Sequence, residues 1–389
     1  MSNKDQPPRY QAHILKSINE IEPNIWDSLN KDGHPFTRHA FLSATEDTGC
    51  VGSEESGWLP RHIIITLEND GVVIGAMPLY LKTHSQGEYV FDHGWADALT
   101  RAGGQYYPKL QVSVPFTPVT GPRFLTGGQA DNRAVKQALI SAAHDLMTDG
   151  GLSSLHFTFL EEQEAKLLEQ HGFLLRNDQQ FHWKNDGYHD FDQFLATLSS
   201  RKRKQIKKER RIATSNDISI SLIEGKDITK NQWQAFYKFY MDTGMRKWGR
   251  PYLNEEFFLS IGASMPENIM LILCEREGQP IAGALNFKSG DTLYGRYWGC
   301  SEDHPCLHFE TCYYQAIEYA IEHGLKTVEA GAQGQHKLAR GYQPTKTYSA
   351  HFMANESFQD AVRHFLTQER EAVDNEIEYL SDHLPFKSK

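Results

Sequence analysis

The chain has 389 residues, 39% of them apolar and 23% charged, with a formal net charge of -10. That length fits two domains and can bury a core without disulfides or metal, and the composition excludes wholesale disorder and fibrous chains. An acidic whole is repelled by nucleic acid and anionic lipid, so contact with either needs a local basic patch.

The opening MSNKDQPPRY is polar and lacks the apolar stretch of a signal peptide. No apolar run approaches the length of a membrane span. The five cysteines (Cys50, Cys274, Cys300, Cys306 and Cys312) are an odd number and do not form a disulfide framework. These features predict a reducing, cytoplasmic, soluble protein.

The first clear pattern is HIIITLENDGVVIGAMPLYLK, His62 to Lys82, two strands joined at Asn69-Asp70-Gly71, a hairpin turn sequence. Gly87 to Phe124 is rich in Gly, Pro, Tyr and Trp. Such a stretch is too aromatic for a flexible linker and predicts an ordered excursion over a pocket. Val135, Ala138, Leu139, Ala142, Ala143 and Leu146 recur at helical spacing and predict a helix from Asp131 to Met147. A strand from Ser153 to Phe159, a short helix from Glu161 to Gln170 and a strand around Phe181 to Trp183 follow.

FDQFLATLSSRKRKQIKKERR, Phe191 to Arg211, has an apolar stripe and then eight basic residues with one acid, a local charge of +7. It predicts one linking helix with a basic end, either a solvated face or a surface for phosphates of a cofactor or RNA.

The second half repeats the order. Ile269 to Gly290 is a hairpin turning at Glu277-Gly278-Gln279, with Gly283 placed like Gly75. A helix from Phe309 to Glu322, a strand from Thr327 to Ala330, a helical stretch at His336 to Ala339 and a strand from Tyr348 to Phe352 follow. Gly75 and Gly172 are 97 residues apart, Gly283 and Gly341 58, so the copies differ by an insertion of 39 residues. The predicted class is α/β (α+β), with mixed sheets flanked by helices in two similar units. Apolar residues every three or four positions predict a closing helix from Glu356 to Leu380.

No phosphate loop, H-E-x-x-H, G-x-S-x-G or G-x-G-x-x-G signature is present. Cys300, His304, Cys306, His308 and Cys312 cluster, but the cysteines are spaced by five residues and no second pair exists, so no metal is expected. The segment most loaded with chemistry is EAGAQGQHKLARGY, Glu329 to Tyr342, which leaves a strand end and enters a short helix. A strand end followed by a helix start suits an anion or reacting group. His336 is a candidate base, and Lys337 and Arg340 are candidate anion holders on that helix. His336 and Arg340 would share its face with Glu329 nearby, or the stretch would merely cap the helix. TGMRKWGRPYL, Thr243 to Leu253, reads as a loop whose Arg246 and Trp248 approach from the opposite wall.

EYVFDHGWADA (Glu88 to Ala98), YYPKLQVSVPFTPVTGPR (Tyr106 to Arg123), TGMRKWGRPYL and GAQGQHKLARGY resemble the hallmark segments of the FemAB-like acyltransferase family of the GNAT superfamily. The resemblance runs from about Ile14 to about Leu380. It implies bacterial proteins of peptidoglycan biosynthesis or recognition with tandem GNAT-like domains. The chain would then divide into domains at 9–190 and 214–355, a basic linker helix at 191–213 and a C-terminal helix and tail at 356–389.

The implied activity is N-acyl transfer from acyl-CoA or aminoacyl-tRNA to a small-molecule or peptidyl amine, with tRNA contact through the basic helix. A non-catalytic module binding a cell-wall or peptidyl ligand is the alternative. The R/Q-x-x-G-x-G/A loop that grips CoA in typical GNAT domains corresponds here to GCSEDHPCLHF (Gly299 to Phe309), which lacks those glycines and carries two acids. On this reading His336, Glu329 or Tyr297 transfers protons, and Arg340, Lys337, Lys204, Lys207 and Lys208 hold the donor. Arg246, Trp248, Asp92 and Trp95 contact the substrate.

Overall fold

Strand runs of Ile and Val and helical runs of Ala and Leu settle close to where the sequence places them. The computed structural model describes residues 9–128, 132–332 and 334–387, so Asp131 and the last two residues of the expected tail lie outside them. The chain divides into two units, one holding residues up to Asn177 with Thr347–Arg370, the other Asp178–Lys346 with the segment from Glu371 on.

The first unit opens with β1 (Tyr10–Leu15), α1 (Pro23–Leu29), α2 (His39–Asp47) and β2 (Trp58–Pro60). The hairpin forms as β3 (His62–Leu67) and β4 (Val73–Met77), and β1 pairs with β3 to give a three-stranded antiparallel sheet. β5 (Leu79–Lys82), α3 (His93–Arg101), β6 (Lys109–Val112), α4 (Arg133–Asp149), β7 (Ser154–Leu160) and α5 (Glu162–Gln170) follow. The expected excursion is thus ordered, holding α3 and β6. In the second sheet of this unit β2, β5, β6 and β7 are neighbours, and α4 is the crossover that makes β6 and β7 parallel. A Cβ at Gly75 would come within 2.4 Å of Val135, so glycine there lets α4 lie close on β4.

β8 (Leu174–Lys184) carries the chain into the second unit, followed by α6 (Phe191–Thr197), α7 (Ser200–Ala213) and β9 (Ile218–Glu224). Then come α8 (Lys230–Trp248), α9 (Glu255–Ser264), β10 (Ile269–Arg276), β11 (Gln279–Ser289) and β12 (Thr292–Cys300). Helix α10 spans 307–322 with a π turn at Glu310–Tyr314. β13 (Thr327–Glu329), a 3₁₀ turn (Gln335–Arg340), β14 (Gln343–Met353) and α11 (Glu356–Asp382) complete the chain. The strand order here is β8, β13, β12, β11, β10, β9, with β12 and β13 the parallel pair. One face of the sheet buries Trp183, Ala284, Leu293 and Val328 with Tyr314 and Ile317 of α10 and Ile206 of α7. Gly283 and Gly299 face Phe236 and Phe239 of α8, which covers the other.

The units differ from the expected segments at two places. Residues 182–184 pair with β13 in the second unit, and 348–353 pair with β7 in the first. The strand expected to close each segment therefore belongs to the other unit, which element order does not reveal. The basic segment is two helices rather than one linker. Leu198 is extended and buried, breaking the helix before Ser200, and the second-unit core takes both pieces.

Candidate active site

The parallel β12–β13 ladder is short. It pairs Thr292 with Thr327, Leu293 with Val328 and Tyr294 with Glu329, whereas β12 runs on to Cys300. Beyond Glu329 the chain turns to β8, where Ala330 N–H donates to Phe181 O and Phe181 N–H to Gly331 O, each at 3.1 Å. The two strands thus separate and leave a notch. On the far side of β12 the register with β11 slips, Leu285 facing Tyr297 and Asn286 facing Gly295, so Arg296 is a bulged residue. A bulge of this kind re-aims neighbouring side chains. Here it puts Tyr297 on the α8–α9 face, its ring 5.5 Å from Tyr240 and 5.9 Å from Phe258.

Glu329 and His182 are cross-strand partners on that same face. Burial raises the Glu329 carboxyl to about 8, against the weaker opposing pull of Lys184 and Arg296. Burial also lowers His182 to about 3, with Lys184 and Lys337 adding to the effect. The 3.9 Å approach of His182 Nε2 to Glu329 Oε2 is therefore a contact between neutral groups at pH 7, not an ion pair. Glu329 Oε2 is buried and has no hydrogen-bond partner among the described residues. A carboxyl that loses its proton near neutrality, in a gap between strands, has the properties of a general base.

The same shift makes a stability prediction. The folded state holds the Glu329 proton up to about pH 8, whereas an unfolded carboxyl releases it near 4.5. Between those values the native state binds more protons, so stability is fully present below 4.5 and falls as pH rises to 8. Glu329→Gln removes this loss and should stabilise the protein by about 2–4 kcal/mol at pH 9 and by little at pH 4.5. Denaturant titrations of both proteins at both pH values check it; an equal gap at the two pH values means the carboxyl titrates normally.

The structure separates the residues that the sequence grouped around Glu329. The stretch Gln335–Arg340 is a 3₁₀ turn, so the α-helical face expected to join His336 to Arg340 does not exist. His336 is exposed, with its Nε2 2.9 Å from Tyr313 OH on the α10 side. Arg340 is buried and not available to an anion. It stacks 3.5 Å above Phe309, donates to Glu209 at 2.8 Å and donates to the His336 carbonyl at 2.7 Å. Lys337 is also buried, its ammonium donating to Gly331 O at 3.2 Å, and desolvation lowers it to about 8.

Arg246 lies on α8, not in a loop. It pairs with Asp242 at 2.6 Å and reaches Cys300 O at the end of β12. The helix ends at Trp248, whose side chain lies outside the described residues. Asp92 and Trp95 belong to the first unit and are buried. Asp92 accepts from Lys109 and from Tyr106 at 2.6 Å, and Trp95 packs 4.9 Å from His351. Lys204, Lys207 and Lys208 are exposed on α7, Lys207 pairing with Asp192 at 2.8 Å. Among the described residues no group of three or more His, Cys, Asp or Glu is placed to hold a metal. No described helix is long and apolar enough to cross a membrane.

His182, Arg296 and the bulge escape a sequence reading. Strand pairing brings His182 to Glu329 from 147 positions away in the chain. Nothing in TLYGRYWGC beyond Gly295 marks a register slip.

In the first unit the parallel pair, β6 with β7, ends at Val112 and Phe157. There the chain itself fills the gap: Gly121 N–H donates to Phe159 O at 3.1 Å and Arg123 Nε to Thr158 O at 3.0 Å.

No curated protein matches the sequence. A crystal structure of FemX aligns at 14% identity with a TM-score of 0.54, covering 88% of this chain and 98% of that one. The C-terminal DUF2156 domain of a "Putative Lysylphosphatidylglycerol Synthetase" from Agrobacterium fabrum aligns at 9% identity with a TM-score of 0.55, covering 90% and 97%. At such identities these likenesses speak for a shared fold alone. The sequence itself matches a family model described as peptidoglycan biosynthesis/recognition over residues 17–388, and the chain belongs to that FemAB-like family.

Proposed function

We propose that this protein is an N-acyltransferase built from two GNAT-like units, passing an acyl or aminoacyl group from a phosphate-bearing donor to an amine. The donor is acyl-CoA or aminoacyl-tRNA, and the amine belongs to a cell-wall precursor or peptide. FemAB-like membership supports the class of reaction. The observation that carries the site is Glu329, a buried carboxyl titrating near neutrality where β12 and β13 part.

In this reading the acceptor ammonium gives its proton to Glu329, and the amine nitrogen attacks the donor carbonyl. The Arg296 guanidinium, close enough to act on Glu329, balances the negative charge on the tetrahedral oxygen. The tetrahedral intermediate collapses and the bond to the thiol or ribose oxygen breaks; Tyr297 gives its proton to the leaving group and takes up the second proton released by the attacking nitrogen, so the phenol is restored. Arg246, exposed near the end of α8 and reaching Cys300 O, contacts the substrate. Donor phosphates lie on the outer face of α7.

Replacing Lys204, Lys207 and Lys208 together by Gln should weaken donor binding about tenfold or more at low salt and flatten its salt dependence. Stability should change by less than about 1 kcal/mol, because the side chains are exposed. Donor affinity that tracks the parent across a salt series would leave α7 a solvated face.

The reading is tested by incubating the protein with acyl-CoA esters, charged tRNAs and an amine-bearing muropeptide, and weighing the products by mass spectrometry. Amide product from one donor class is expected. Tight muropeptide binding without turnover of any donor would instead make the protein a recognition module.

A further inference from the structure

Glu209 is the single acid among the eight basic residues of Arg201 to Arg211, and it is buried. Exposed solvating helices have no reason to turn a carboxylate inward, so its partners matter. Glu209 Oε1 accepts from Gln205 at 2.8 Å, and Oε2 accepts from both Tyr314 OH and Arg340 Nη2. The adjoining Arg210 binds Glu310 at 2.9 Å, so α7 grips both ends of the π turn in α10. Such π turns recur at functional sites.

From Arg340 the contacts continue inward. Its other guanidinium nitrogen donates to the His336 carbonyl at 2.7 Å and fixes the 335–340 turn. That turn holds Lys337, whose ammonium donates to the carbonyl of Gly331, two residues after Glu329. The outer face of the same helix carries Arg201, Lys204, Lys207, Lys208 and Arg211, all exposed. One helix thus presents cations outward and ties itself, through one charged pair, to the strand end that carries the candidate base.

We infer that Glu209 is a positioning residue that couples anion binding on the outer face of α7 to the carboxyl of Glu329, through Arg340 and the 335–340 turn. This rests on the assignment of Glu329 and α7 under the proposed function. The coupling is a linkage. An anion that shifts α7 moves the Arg340 anchor and so alters the surroundings of Glu329, which also include His182, Lys184 and Arg296.

The test uses inorganic pyrophosphate as the probe and needs no turnover. Protein labelled at the glutamate side-chain carboxyls is titrated by NMR with and without saturating pyrophosphate, and the Glu329 signal is assigned with Glu329→Gln. In the parent, pyrophosphate should move the Glu329 midpoint by about half a pH unit, roughly a threefold change in proton affinity. In Glu209→Gln, pyrophosphate should bind within about twofold of the parent and leave the midpoint in place. If Glu209→Gln folds poorly, Glu209→Gln/Arg340→Gln restores a hydrogen-bonding pair without charge and should behave the same way. A midpoint that pyrophosphate does not move in the parent overturns the coupling, as does failure of pyrophosphate to bind. A shift that persists in either variant removes Glu209 from it. Because titration and turnover are read separately, loss of the coupling leaves the acyltransferase reading standing, and loss of turnover leaves the coupling measurable.

Discussion

Glu329→Gln should lower turnover by about 10²–10⁴-fold while the protein stays folded and becomes more stable in alkali. The amide keeps the size and the neutral state that the carboxyl has at pH 7, since burial raises that carboxyl to about 8. What the variant cannot do is accept a proton. The acid limb of kcat/KM for the parent should rise through an apparent pKa near 8, because only the carboxylate deprotonates the ammonium. In the variant that limb should vanish along with most of the rate. Parallel measurement of denaturant stability excludes misfolding as the cause, because the two effects have opposite signs. A variant with full specific activity and an unchanged pH profile would take Glu329 off the catalytic path. His182 does not replace it as a base, since burial holds that imidazole neutral down to about 3 and makes it a very weak one.

Much of the fold can be read in the chain because it is local. The turn at Asn69-Asp70-Gly71 and the one at Glu277-Gly278 both join antiparallel strands, and the 3.6-residue spacing after Val135 becomes α4. The repeated element order is legible in the chain, yet the crossing of β8 and β14 between units is not. Pairing is a property of edges, and both strands read as ordinary period-two runs. The candidate site divides the same way. Glu329 can be picked out as a candidate because the strand end that carries it is visible in the chain. Arg340 misleads, since a lone Arg in a loaded segment reads as an anion site until Glu209, 131 residues earlier, claims it. Asp92 does so for a similar reason: its partner Lys109 opens β6, 17 residues further on, and that pairing is not visible in the chain. Charge alone does not say whether its partner is a substrate or the protein itself.

Arg123→Met should destabilise the first unit by about 3–5 kcal/mol, a large share of the roughly 5–15 kcal/mol that holds an ordinary domain together. Arg123 is fully buried, and burial lowers it only to about 10, so it stays charged at neutral pH. Its guanidinium answers four carbonyls: Thr158 at 3.0 Å, Val119 at 2.8 Å, Gly121 at 3.1 Å and Pro122 at 3.3 Å. Its backbone is held too, since Glu164 accepts from Arg123 N–H at 2.9 Å and from Phe124 N–H at 3.2 Å. Methionine keeps the apolar stem and leaves those carbonyls without donors, each orphan costing about 1–3 kcal/mol less whatever relaxation recovers. Lysine keeps the charge but not the planar fork, so Arg123→Lys should fall between parent and Met variant. The functional consequence follows from where the side chain sits. On the proposed function, it occupies the place beside β7 that the donor's acyl end would take beside β13 in the second unit. The intact protein should accordingly bind one equivalent of donor per chain, not two, which calorimetric titration reads directly. Two equivalents, or an Arg123→Met variant within about 1 kcal/mol of the parent, would mean that the first notch is open despite the hydrogen bonds across it.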